Sequence, residues 1–145
     1  MSFTPRTLVQ GFYEAVGDEV TDSFSGERML ELSEVLNGHV SDDFECVMVG
    51  PGGALSYPGL AGFADAWADW VSPYTSFSVE LEELIELPDA VLMPVRQRGV
   101  TRHDGVPIEN SGASLWRFKD GLLTRAEFYL DRDAAYEAAG VAPED

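Results

Sequence analysis

Hydrophobic positions along the chain change their spacing several times, and each change marks an element. Leu8, Val9, Phe12 and Val16 recur at helical intervals behind Thr4-Pro5, a capping hydroxyl followed by proline at the first helical position. The pattern predicts a helix over residues 5–17. Met29, Leu32, Val35 and Leu36 predict a second helix over 26–37, ended by Asn37-Gly38. Residues 44–49 read as a short strand, broken by Gly50-Pro51-Gly52-Gly53. Helical spacing returns over 60–71, where Phe63, Trp67, Trp70 and Val71 fall at i, i+4, i+7 and i+8 with Asp65 and Asp69 off the stripe. Ser72-Pro73 ends it.

Beyond Pro73 the spacing falls to two. Phe77, Val79, Leu81, Ile85 and Leu87 alternate with Glu80, Glu82 and Glu86, a strand wet on one side that turns at Pro88-Asp89. In the strand over 90–102, Val91, Met93, Val95 and Gln97 share one face and Leu92, Pro94, Arg96 and Arg98 the other. Unpaired charges avoid cores, so the Gln97 face is expected to point inward. His103-Asp104-Gly105 then turns the chain into a long hairpin centred on Lys119-Asp120-Gly121. A two-residue turn at Asp120-Gly121 would pair Phe118 with Leu123 and Trp116 with Arg125, putting Arg125 and Glu127 on the face of Trp116 and Phe118. A three-residue loop, with Gly121 as a left-handed bulge residue, collects Trp116, Phe118, Leu122, Ala126, Phe128 and Leu130 on one face, and leaves Arg117, Lys119, Arg125, Glu127 and Asp131 around Leu115, Leu123 and Tyr129 on the other. One residue of slip exchanges the faces, so the clean separation favours the bulged loop and Phe128 inward. Asp131 caps a short helix over 134–139 that stops at Gly140, and the last five residues are expected to fray.

Helices gathered ahead of a meander of strands imply an α+β fold, with helices on one face of a curved sheet. The 145 residues suit one domain, taken here as 1–145. Composition narrows the function classes. The chain is 45% hydrophobic and 11% aromatic, as a packed domain requires, and 26 acidic against 9 basic residues give a net charge of −17. That charge repels phosphate backbones and anionic membrane surfaces, so neither nucleic acid nor membrane is expected as a partner. The single Cys46 excludes an intramolecular disulfide, no apolar run reaches spanning length and the N-terminus lacks an apolar signal core. A cytoplasmic protein is the expectation. His39 and His103 lie in separate loops with no carboxylate at ligand spacing, so no metal is expected.

The order of elements, the Trp67-x-x-Trp70 helix, and the closing Trp116-Arg117-Phe118-Lys119-Asp120-Gly121 and Glu127-Phe128-Tyr129-Leu130-Asp131 resemble the SnoaL-like branch of the nuclear transport factor two-like superfamily. The resemblance covers essentially the whole chain. It implies a cystatin-like α+β roll: a curved, mainly antiparallel sheet wrapped around the N-terminal helices as a cone with an apolar pocket, often a homodimer through the sheet. Its members include ketosteroid isomerases, polyketide cyclases, scytalone dehydratase, limonene-epoxide hydrolases and binding domains without chemistry, and fold alone does not choose among them.

The enzymes of that group place a carboxylate base and an oxyanion donor inside the cone. Here the position resembling the isomerases' oxyanion tyrosine is Phe12, the strand that holds their base offers Val47, Met48 and Val49, and the place of their neutral acid falls to Asn110 and Ser114. The epoxide hydrolases' charged set would fall near Val95, Gln97 and Phe128. None of that machinery carries over. What remains is a pocket of Phe12, Phe63, Trp67, Trp70, Val95, Trp116 and Phe128 with the polar residues Gln97, Asn110 and Ser114, and Tyr57 as a donor near the mouth. The same aromatics are also what a plain core would contain. Glu127 becomes the general-base candidate only if the register slips. The resulting expectation is a cone that binds a small apolar or aromatic molecule without a cofactor, any isomerase, cyclase or hydrolase activity resting on an unassigned residue. The alternative is a non-catalytic homodimeric interaction domain, joined through the outer sheet face around Arg96, Arg98, Arg117, Arg125, Leu115, Leu123 and Tyr129.

Overall fold

The structure is a computed structural model that describes residues 5–16, 36, 38–50 and 53–141. Helix α1 (Pro5–Val16) buries Leu8, Val9 and Phe12. The helix expected over 26–37 lies outside the described residues except at Leu36, which is helical and buried. Then follow β1 (Val40–Gly50), β2 (Gly53–Pro58), α2 (Gly59–Val71), β3 (Tyr74–Leu81), β4 (Ile85–Leu87), β5 (Ala90–Thr101), β6 (Pro107–Lys119), β7 (Leu122–Tyr129) and α3 (Arg132–Ala139). The seven strands form one sheet in the order β2-β1-β7-β6-β5-β3, with β4 on β5. Every pairing is antiparallel except β1 with β7.

Two strands differ from the sequence reading. β2 was expected to be loop; its Gly53-Ala54-Leu55-Ser56-Tyr57-Pro58 is an exposed edge strand with no buried face to impose alternation. The single strand expected over 77–87 is two, interrupted opposite Pro94. A proline has no N–H to give a neighbouring strand, so the sheet opens there, and the Pro94 carbonyl accepts instead from the Glu82 N–H at 3.0 Å.

The hairpin corrects the expected register in an instructive way. Its turn is the two-residue kind, with Asp120 and Gly121 both at positive φ (54° and 81°), and Phe118 faces Leu123. The extra residue sits one step further on, at Thr124, because Arg117 faces Arg125 and Trp116 faces Ala126. The bulge is therefore at Thr124 and not at Gly121. Phe128 still points inward and Glu127 outward, but Leu123 enters the core in place of Leu122 (0% against 37% exposed).

The inner face of the sheet packs on α1 and α2. On the outer face a smaller cluster of Leu92, Leu115 and Tyr129 lies under Ala135 and Tyr136 of α3. Asp131 starts that helix by accepting from the Asp133 N–H at 3.0 Å, and Gly140 ends it at φ 74°. Arg132 ties the helix's beginning to the sheet through the carbonyls of Val95 (2.8 Å) and Gly112 (3.2 Å) and through Glu82. Arg117 ties its end through the Ala138 carbonyl at 3.1 Å.

Candidate functional site

Strand parity places the inward residues of β6 (Asn110, Gly112, Ser114, Trp116) beside Gln97, Val95, Met93 and Val91 of β5, and, from Ser114 onward, beside Phe128 and Ala126 of β7. Deep in the cone these side chains meet one another. Trp67 stands edge-on to Phe128 at 4.8 Å and Trp116 to Phe128 at 5.6 Å, while Phe12 contacts both Trp116 (5.2 Å) and Phe63 (5.4 Å). The Trp116 indole N–H donates to Ser114 Oγ at 2.9 Å, a local pairing within the buried layer. Seven of the expected pocket residues, Phe12, Phe63, Trp67, Val95, Ser114, Trp116 and Phe128, thus form the packed floor of the cone.

Polarity is concentrated nearer the rim. Gln97 is 4% exposed, and the position opposite it is Asn110. Asn110 Nδ2 donates to the Leu130 carbonyl at 2.7 Å, leaving its Oδ1 and the Gln97 Oε1 buried without a donor among the described residues. Buried carbonyl oxygens without partners cost about 1–3 kcal/mol each, which makes two neighbouring ones on one face noteworthy. Gly112 creates the room for them. A Cβ there would lie 2.5 Å from Gln97 Nε2 and 2.4 Å from the Tyr129 carbonyl oxygen, so the glutamine amide lies across bare glycine backbone. Asn110 also lines a cavity of about 520 Å³ at the rim, with Tyr74, Ile108, Leu130, Val49 and Asp131. Of these only Asn110 belongs to the expected site. Tyr74 and Ile108 gave no sign in the sequence, because what brings them to the cavity is the pairing of β3 and β6 with opposite edges of β5.

The two remaining expected residues lie elsewhere. Tyr57 and Trp70 line a separate groove of about 350 Å³ between β2 and α2.

Among the described residues, the buried groups that could act as base or nucleophile face the wrong way or are silenced. Glu127, 3% exposed, lies on the outer face, where Tyr129 Oη donates to it at 2.5 Å and Arg117 Nε at 2.6 Å, with Arg125 Nε at 3.1 Å. Cys46 is inward, but burial pushes its thiol up to about 12, which suppresses thiolate chemistry at neutral pH. Among the described residues no group of three or more His, Cys, Asp or Glu side chains is placed to hold a metal ion.

Residues 9–126 match the SnoaL-like domain family. This chain belongs to that family. Its fold is shared by solved relatives, and the SnoaL-like chain aligns with them almost end to end. A nuclear transport factor two-like protein from Burkholderia thailandensis E264 is 19% identical, with 98% of this chain and 100% of that one covered at a TM-score of 0.68. A hypothetical protein with a ketosteroid isomerase-like fold from Catenulispora acidiphila DSM 44928, solved with trimethylamine, is 14% identical over 96% of each chain at 0.62. TerC, co-crystallised with polyporic acid, is 25% identical, with 86% of this chain and 94% of that one covered at 0.55. No curated protein matched. Among the described residues, no helix of the SnoaL-like chain is long and apolar enough to cross a membrane.

Proposed function

We propose that this SnoaL-like protein binds a small, largely apolar or aromatic molecule at the mouth of its cone and holds it by a hydroxyl or other donor directed at Gln97 and Asn110. The observation that carries the reading is the pair of buried acceptor oxygens without donors among the described residues, set opposite each other on β5 and β6, with Asn110 in the wall of the rim cavity and Gln97 behind it. Its volume of about 520 Å³ falls within the range of small-molecule sites, and its walls are mostly apolar. The packed aromatics below form the floor. The crystallisation of TerC with polyporic acid supports that compound as a first probe.

Binding is favoured over turnover because the inner face offers no carboxylate or imidazole among the described residues. Isomerase, cyclase or hydrolase activity would need a base other than these described side chains. A homodimer through the outer sheet face belongs to the same proposal in altered form. Leu123 is in the core, and Leu115 and Tyr129 lie under α3, so the apolar contribution expected from them is not available. Such a dimer would rest on the exposed ladder of Glu80, Arg98, Glu109 and Arg96.

The test is calorimetric titration with polyporic acid and with 2-naphthol, against 2-methoxynaphthalene as a ligand that cannot donate. Gln97→Leu or Asn110→Leu should weaken binding of the donors by roughly fivefold, since a net hydrogen bond is worth about 1 kcal/mol. Equal affinity for the ether, or donor binding untouched by both substitutions, would sink the assignment.

A further inference from the structure

The groove between β2 and α2 meets the rim cavity only at Gly50 and has a different chemistry. Its floor is fixed by close backbone packing: a Cβ on Gly62 would lie 2.7 Å from the Tyr57 carbonyl carbon, so α2 presses directly on the edge strand. Met48 and Ala66 form its inner side, and Tyr57, half-buried Trp70 and Leu55, 63% exposed, rise around them. The polar side chain in this lining that carries a charge is Asp69. Its carboxylate accepts from Tyr57 Oη at 3.3 Å and forms no ion pair among the described residues.

A second feature adds to the negative potential. Asp69 lies in the last turn of α2, where the carbonyl ends of the helix dipole gather, and that turn contains no basic residue. A carboxylate at a helix C-terminus is the unfavourable arrangement unless a cation offsets it. Arg102, whose Nε donates to the Ser72 carbonyl at 3.3 Å, answers the helix end but forms no ion pair with Asp69 among the described residues, and Asp65, one turn earlier, is also exposed.

We propose that this groove is a binding site for a small organic cation of the alkylammonium or quaternary ammonium class, with Asp69 as counter-ion and the Trp70 and Tyr57 rings as its aromatic walls. Rings offer a negative face to such a cation, and methyl groups on nitrogen match the apolar lining better than a strongly hydrated metal ion does. The site is open to solvent, so its affinity is expected in the millimolar range and falls with salt.

The experiment is an NMR titration of the whole chain at low ionic strength with choline chloride, read at the Trp70 indole and the Tyr57 and Asp69 amides. The neutral carbon isostere 3,3-dimethyl-1-butanol is titrated in parallel. The expected result is saturable shifts with choline, at least fivefold weaker response to the isostere, and about tenfold weaker choline binding in Asp69→Asn. Asp89→Asn, which removes the same charge from the exposed turn before β5, at the end of that strand opposite the one joined to α2, should leave binding unchanged. Absence of saturable shifts, equal response to the isostere, or equal losses in the two variants would each overturn the proposal.

Discussion

Replacing Glu127 by Gln removes a charge from the outer face of the sheet while keeping its shape, and the structure sets the size of the effect. The carboxylate accepts from Arg117 Nε at 2.6 Å and Tyr129 Oη at 2.5 Å, and Arg125 Nε stands 3.1 Å away. A hydrogen bond to a charged group contributes about 1.5–3 kcal/mol and a neutral one about 0.5–1.5, so two weakened bonds amount to about 2–3 kcal/mol. Stranding fully buried charges would cost about 3–5 kcal/mol. That upper figure does not apply, because Arg117 and Arg125 keep 39% and 43% of their side chains in water and rehydrate. For a domain of 145 residues, the loss corresponds to a fall in Tm of roughly 6–10 °C. Because Arg117 also donates to the Ala138 carbonyl, the damage should spread to α3. Thermal unfolding followed by circular dichroism reads the first effect, and hydrogen exchange at Ala138 and Ala139 reads the second. A Tm within 2 °C of the parent, with unaltered exchange in α3, would refute the reasoning.

Four further predictions follow from single groups. Burial, then the hydrogen bond to Glu127 and its charge, holds the Tyr129 phenol above its ordinary value of 10.0, so its contribution is complete below pH 10 and is lost as pH rises beyond. Alkaline stability curves of the parent should therefore fall more steeply above pH 10 than those of Tyr129→Phe. Gly112→Ala forces a methyl to 2.4 Å from the Tyr129 carbonyl and should cost about 2 kcal/mol in urea unfolding. Gly11→Ala, in α1 with none of the described residues within 4 Å, should instead stabilise by about 0.5–1 kcal/mol. Buried Cys46, its thiol raised to about 12, should resist a disulfide reagent at pH 8 in the folded protein and react at once in denaturant.

Alternation and helical spacing made most of the fold legible, because both are imposed by having one face dry. That holds for α2, β5 and the β6–β7 hairpin. It fails for β2, an edge strand wet on nearly every side, and at Pro94, where one missing N–H splits a partner strand. The hairpin shows a subtler limit. Parity arguments found that Phe128 points inward, but they could not say where the extra residue sits, since a bulge at Gly121 or at Thr124 restores the same parity for Ala126 and Phe128. Only Leu122 and Leu123 distinguish the two, and both are leucine. The site was less legible for a different reason. Trp67, Trp116 and Phe128 carry the composition of a ligand pocket, yet whether such rings meet each other or a guest depends on distances of a few ångströms.

The division of polar groups across β6 and β7 bears on what the cone can do. The buried carboxylate at Glu127 is on the outer face, neutralised by arginines and used to hold α3, while among the described residues the buried polar groups of the inner face are uncharged, the amides of Gln97 and Asn110 with Ser114 and the Cys46 thiol. A carboxylate turned inward among those aromatics would face desolvation with no arginine beside it, and its raised pKa would make it a base. An amide in the same place bears no net charge and can only accept or donate a hydrogen bond. The parity that places Phe128 inside therefore sets an aromatic ring, and not the Glu127 carboxylate, among the inner side chains. The proposal that Gln97 and Asn110 accept from a ligand's donor stands or falls with the titrations of their leucine variants.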